Sequence, residues 1–214
     1  MMVLRAWCLA AGACLLAGGA VAGPEDDYQA GLKSYRNGDI VGAMTPLRQA
    51  SLEGHAKAQA LLAEILDRTD FDDDAIALYR KSAAQGDLDG MFGLGVMTVS
   101  GEGTKKDVLG GRTWILKAAE SGHVLAINAM AQGYLKGELG LTEADRNTPD
   151  ALRWIKRAAE NDYLPAIDAL AAAYSSGNAF GLPVDRALSE QYQAQANRIR
   201  NVDPGKGKKK QRRI

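Results

Sequence analysis

The sequence predicts an all-α chain, an α-solenoid of antiparallel helical hairpins, on three observations. A run of small residues closed by Gly or a stand-in returns four times, apolar and small residues follow each copy at helical spacing, and Gly and acidic residues punctuate the stretches between. The phrase reads Gln49-Ala50-Ser51-Leu52-Glu53-Gly54-His55, then Lys81-Ser82-Ala83-Ala84-Gln85-Gly86-Asp87, then Lys117-Ala118-Ala119-Glu120-Ser121-Gly122-His123, then Arg157-Ala158-Ala159-Glu160-Asn161-Asp162-Tyr163. Anchored on Gly54, Gly86, Gly122 and Asp162, the copies are 32, 36 and 40 residues apart. Such periods mark helical-hairpin arrays, in which each unit buries its apolar face on its neighbours.

The elements follow in order. Residues 1–22 carry one charge, Arg5, followed by an apolar stretch from Ala6 that ends in Ala20-Val21-Ala22. Small residues at the end of a short apolar run are the pattern of a secretory signal peptide cleaved after Ala22. Both cysteines, Cys8 and Cys14, lie inside that segment, so the exported chain is expected to hold neither disulfide nor thiol nucleophile. The body, residues 23–200, has 19 basic and 25 acidic side chains, whereas residues 201–214 have six basic ones and Asp203.

At offsets +4, +8, +9 and +12 from the four anchors stand Ala58, Leu62, Ala63 and Leu66; Gly90, Leu94, Gly95 and Thr98; Ala126, Met130, Ala131 and Tyr134; Ala166, Leu170, Ala171 and Tyr174. Steps of four, one and three place each set on one face of a helix. The small residue at +9 admits a close neighbour. Three of the four first helices then meet a Gly break, at Gly101, Gly137 and Gly177, where a left-handed residue can end them. The second helices restart at Asp74, Asp107, Pro149-Asp150 and Asp185, residue types that suit a first turn with free N–H groups and a positive dipole end. They carry Leu78-Tyr79, Trp114-Ile115, Trp154-Ile155 and Tyr192, large side chains expected to fill the gaps left by small ones. The last helix, near Asp185 to Arg200, is expected to cap the array.

The string Ala126-x-x-x-Met130-Ala131-x-x-Tyr134, the turn Gly101-Glu102-Gly103-Thr104-Lys105-Lys106-Asp107 and the string Trp114-Ile115-x-Lys117-Ala118-Ala119-x-x-Gly122 resemble the Sel-one-like repeat family, a relative of the tetratricopeptide repeats. The Gly38-Asp39 turn followed by Ala43 and Ala50 is closer to a plain tetratricopeptide hairpin. The resemblance covers roughly Tyr28 to Asn197. It departs at Gly110-Gly111, where the family prefers Lys-Ala and where each Gly costs a helix about 1 kcal/mol against Ala. Thr98 and Leu66 replace the usual aromatic, and Leu139 to Thr148 is an inserted loop.

That resemblance implies binding rather than chemistry, with the first helix of each hairpin lining a concave face. If the register carries over, offsets +3, +6, +10 and +13 supply the candidate partner-binding residues: Lys57, Glu64 and Asp67; Asp89, Phe92, Val96 and Val99; Leu125, Asn128 and Gln132; and Asp168. An apolar patch around Phe92, Val96, Val99 and Leu125 with an acidic rim suits a protein or peptide bearing hydrophobic anchors beside basic residues.

Other chemistry is thin. His55 and His123 both follow an anchor Gly, a repeated turn position and not a ligand pair, and no cysteine supplies metal-ligand spacing. Asp70-Phe71-Asp72-Asp73-Asp74 fails as a calcium loop, because the required Gly and Glu positions hold Ala75 and Lys81. There is no nucleophile elbow, Walker loop or Rossmann fingerprint. Cysteine-rich members of the resembled family have been described as β-lactamase-like, but this chain lacks their paired cysteines and any Ser-x-x-Lys. No cofactor, metal or catalytic residue is expected. The tail, Lys206, Lys208, Lys209, Lys210, Arg212 and Arg213, has no aromatic residue interleaved for base stacking, so its expected counterpart is an anionic membrane surface or wall polymer and not nucleic acid. The chain thus reads as an exported, periplasmic or secreted, monomeric and non-catalytic adaptor, with tail-mediated surface attachment as the alternative and a cell-wall-active or β-lactamase-like enzyme as the third reading.

Overall fold

The computed structural model describes residues 23–177 and 179–202. The expected signal segment and the basic tail lie outside them. Among the described residues ten α-helices form five antiparallel hairpins: α1 (Pro24–Arg36) with α2 (Ile40–Leu52), α3 (Ala56–Asp67) with α4 (Asp72–Ala84), α5 (Leu88–Ser100) with α6 (Val108–Glu120), α7 (Val124–Lys136) with α8 (Pro149–Glu160), and α9 (Leu164–Ser176) with α10 (Arg186–Val202). Each helix packs on its chain neighbours, and first helices also touch across hairpins, α1 on α3, α3 on α5 and α7 on α9. The described residues contain no strand.

The recurring phrase is a turn with a fixed hydrogen-bond pattern. The anchors have positive φ, 88° at Gly54 and Gly86, 93° at Gly122 and 59° at Asp162. The next amide then reaches back to the carbonyl five residues earlier: His55 N to Ala50 O (3.0 Å), Asp87 N to Ser82 O (3.3 Å), His123 N to Ala118 O (3.0 Å) and Tyr163 N to Ala158 O (3.0 Å). This is the bond pattern by which a left-handed residue satisfies carbonyls at a helix end. The accepting residues are small because the turn is buried: Ala50, Ser82, Ala118 and Ala158 are fully enclosed. Asp162 shows that a short polar residue can stand in where φ must be positive.

Helix starts are capped as their residue types require. Asp39, Asp107, Thr148 and Asp185 accept from the amides of Gly42, Gly110, Ala151 and Leu188. Asp72, Asp73 and Asp74 fill the first turn of α4. Gly101, Gly137 and Gly177 end α5, α7 and α9 in the left-handed conformation.

The predicted core face is buried at every named position except Thr98, which is half-buried. Trp154, Leu47, Ile76, Met97, Ile115, Ile155, Ile167 and Leu170 are the large side chains fully enclosed in the core with it. At the α5–α6 contact the backbones almost touch. A Cβ on Gly111 would stand 2.5 Å from Gly95 O, and one on Gly95 would stand 2.7 Å from Ile115 Cγ1. The helix propensity lost at Gly111 is therefore exchanged for a close approach that no larger residue permits. The inserted loop is tied down by Arg146 Nη2 donating to Leu135 O (2.7 Å) and Arg112 Nη1 to Leu139 O (3.1 Å), with a 3-10 turn at Glu143–Asn147.

Candidate functional site

The first helices α1, α3 and α5 enclose a cavity of about 480 Å³ that α7 closes at one side. Its apolar lining comes from Tyr28 and Leu32 of α1, Ala60 and Leu61 of α3, Tyr79 of α4, and Phe92 and Val96 of α5. Spacing explains why it is hollow. Ala60 stands at the register position that Tyr28 and Phe92 occupy on the helices to either side, so a small residue lies between two aromatic ones. Gly93 continues the gap, and the Tyr79 ring lies where its Cβ would be.

Seven predicted residues, Lys57, Glu64, Asp67, Asp89, Phe92, Val96 and Leu125, meet in this cavity. Four do not line it. Val99 lies against Gly111 of α6, where a Cβ would stand 2.6 Å from its Cγ2. Asn128 has a buried Oδ1 without a hydrogen-bond partner among the described residues. Gln132 donates to Glu138 (2.9 Å) and accepts from Tyr163 Oη (2.7 Å), and Asp168 accepts two bonds from Arg200, 2.7 and 2.6 Å. The predicted tail residues fall outside the described chain.

The rim is mixed in sign, since Arg36, Lys57 and Arg68 stand beside Glu64, Asp67 and Asp89. Glu64 bridges Arg68 at 2.9 Å and accepts from Tyr35 Oη at 2.9 Å. Asp89 is 2.9 Å from His123 Nε2, and that hydrogen bond holds its carboxyl below the usual range. Asp67 behaves in the opposite way. Burial first, then the neighbouring Glu102 and Asp72, push its carboxyl up. Burial also pushes the Tyr79 phenol well above its ordinary value, keeping it neutral.

Both histidines are structural bridges. His55 Nδ1 accepts from Ala58 N (3.1 Å) while Nε2 meets Glu25 (2.9 Å), and the ring stacks on Tyr28 at 4.6 Å. His123 repeats the two bonds with Ala126 and Asp89, and its ring lies against Phe92 at 5.0 Å, tilted by 41° rather than stacked. Among the described residues no group of His, Asp and Glu is placed to hold a metal ion, and no helix is long and apolar enough to cross a membrane.

Tyr28, Leu32, Arg36, Tyr79 and His123 also line the cavity and were not predicted to. A signal for two existed, because offsets +6 and +10 counted from position 22, one full 32-residue period before Gly54, fall on Tyr28 and Leu32.

The profile of the Sel1 repeat matches residues 56–87, 88–123 and 124–163, which are α3–α4, α5–α6 and α7–α8 with their closing turns. This chain belongs to the Sel1 repeat family. Sel1 repeat proteins are in general non-catalytic protein–protein interaction scaffolds. The fold is similar to that of a protective antigen of uropathogenic Escherichia coli displaying an SLR fold (TM-score 0.69, 24% identity, covering 82% of this chain and 38% of the antigen). It is also similar to a Sel1 repeat protein of Oxalobacter formigenes (TM-score 0.66, 22% identity, 82% and 73% covered) and to a Klebsiella pneumoniae protein described as one (TM-score 0.55, 16% identity, 83% and 93% covered). The chain therefore spans well under half of the E. coli antigen. No curated protein matches. Beyond the three matched repeats, α1–α2 and α9–α10 add a hairpin at each end of this Sel1 array.

Proposed function

We propose that this Sel1 repeat protein is an exported, periplasmic and non-catalytic adaptor that holds a segment of a partner protein in the α1–α3–α5 groove and thereby controls an envelope process. The observation that carries the reading is an apolar cavity of about 480 Å³ opening beside Val96 and Leu125, which leave 40% and 58% of their surface exposed. Apolar side chains grouped on a concave face favour docking of a partner's anchors. Export rests on the pattern of residues 1–22.

Val96→Arg tests it, because an exposed position accepts a long charged side chain without unfolding while the groove floor is blocked. Captured partner should be lost from the variant at unchanged thermal stability. Undiminished capture would move the binding surface elsewhere. N-terminal sequencing of protein recovered from the envelope should begin at Gly23.

A second reading gives the tail a part, on its six basic side chains against one acid. Deleting residues 206–214 should then abolish salt-sensitive attachment to anionic vesicles while groove binding survives.

A further inference from the structure

The groove's charged groups are not equally available. Glu64 is bridged to Arg68 and hydrogen-bonded by Tyr35, and Asp89 is held by His123. Lys57 lies in the field of Asp89 and Glu25, at the end of the groove where α3 and α5 begin. Arg36, the last residue of α1, acts on Tyr28 at the α1 wall. Asp67 differs from all of them. It is the last residue of α3, at the carbonyl end where the helix dipole already disfavours negative charge. Glu102 and Asp72 stand nearby, and Arg68, the cation close enough to offset them, is engaged by Glu64. Among the described residues no donor or cation bonds the Asp67 carboxylate. A half-buried acid at the wrong end of a helix, in a ring of acids, is costly in the free protein.

We propose that Asp67 is the specificity-determining residue of the groove, receiving a Lys or Arg of a partner peptide whose neighbouring apolar side chain fills the space over Ala60 between Tyr28 and Phe92. This rests on the groove reading above and narrows it. Of the acids that the sequence offers for steering, Glu64, Asp89 and Asp168 are engaged within the chain, which leaves Asp67 to recognise a cation. The partner's charge would neutralise a repulsive cluster while its apolar side chain covers exposed groove surface, so both gains appear only on binding.

The test selects peptides from a randomised dodecapeptide library displayed on phage against the full mature protein, then measures the selected peptides by fluorescence polarisation. Selected sequences should pair an aromatic or large aliphatic residue with Lys or Arg a few positions away. Asp67→Asn should weaken them about tenfold or more, the scale of a charge-assisted hydrogen bond. Asp67→Lys should redirect selection toward acidic peptides, and Val96→Arg should abolish binding. Peptides lost on Val96→Arg but indifferent to Asp67→Asn, with no basic preference, would overturn this inference and leave the groove reading standing. Peptides unaffected by Val96→Arg, or no enrichment at all, would overturn both.

Discussion

His123 joins two repeats through its two ring nitrogens, Nε2 lying 2.9 Å from Asp89 Oδ1 on the preceding first helix while Nδ1 accepts the Ala126 amide at 3.2 Å. An accepting Nδ1 places the ring proton on Nε2, so the imidazole caps α7 and donates to α5 at once. Phe92 lies against the same ring with centroids 5.0 Å apart. A side chain at a turn thus fixes one wall of the groove.

His123→Asn separates the two bonds, because Asn caps a helix well but is too short to reach Asp89. His123→Ala should cost about 1–2 kcal/mol, of which the cap is about 1. Asn should recover the cap share only. In the Asp89→Asn background the two substitutions should differ by the cap alone. Urea midpoints for the four variants check this, and identical midpoints for Ala and Asn would show that the cap carries no stability.

Acid should act on this protein through carboxylates of opposite sign. Asp89 and Glu25 have folded values below their ordinary 3.8 and 4.5, Asp89 chiefly through its bond to His123 and Glu25 first through Gln29 and then His55. Groups lowered on folding stabilise above their ordinary values, and that stability is lost as pH falls through them to the folded values. Asp67 is raised, so it opposes folding once it ionises and ceases to do so when protonated. Asp67→Asn should therefore raise the melting temperature near neutral pH and leave it unchanged in strong acid. Asp89→Asn should lower it near neutral pH and converge on the wild type in acid. Melting curves from neutral to below the carboxylate range give both signs, and a neutral-pH loss for Asp67→Asn would remove the repulsion argued for the groove.

Gly111 puts propensity and packing in direct competition. Replacing Gly by Ala in a helix gains about 1 kcal/mol, but here the new Cβ would stand 2.5 Å from Gly95 O and 2.8 Å from Val99 N, backbone atoms that cannot rotate away. Overpacking of this kind costs about 1–3 kcal/mol. Gly111→Ala should therefore be a net destabilisation, read as a lower urea midpoint, and a rise would mean that α5 and α6 can part without cost.

The hairpin array was legible because its turns demand special residues. A positive φ followed by a bond to the fifth residue back selects Gly, or Asp at 162, after a run of small residues, and that requirement recurs at readable spacing. The α3 and α5 walls of the groove were legible for the same reason, since Lys57, Glu64 and Phe92 are counted from Gly54 and Gly86. The α1 wall could be reached only by stepping one 32-residue period back from Gly54 to position 22, because no copy of the Gly-closed phrase precedes α1 (Pro24–Arg36) to anchor its register directly. Not legible were the partnerships of Asp89 with His123 and of Asp168 with Arg200, which lie 34 and 32 residues apart and depend on how successive hairpins superpose. Gly111 was legible as a weak helix residue and illegible as a contact, since only the facing Gly95 gives it a purpose.

Among the described residues α10 is the last helix and packs on α9, and its attachments differ in kind. Arg200 grips Asp168 with two bonds, but both side chains are nearly half exposed, so the pair should contribute under about 1 kcal/mol. Ser189 donates to Ala171 O at 2.9 Å in a buried setting, Tyr192 stacks on Tyr174 at 5.9 Å, and Ala196 leaves 1% of its surface exposed. A charged side chain at 196 would be desolvated without a partner, whereas loss of Arg200 removes only a screened pair. Arg200→Ala should leave amide-exchange protection across α10 almost unchanged. Ala196→Asp should detach α10, deprotect residues 186–202 and uncover Tyr174, Ala171 and Leu170, an apolar end face that repeat arrays need capped to stay soluble. Hydrogen exchange with light scattering distinguishes the two variants: protection of α10 retained in Ala196→Asp, or soluble monomer after its loss, would show that α9 closes the solenoid alone.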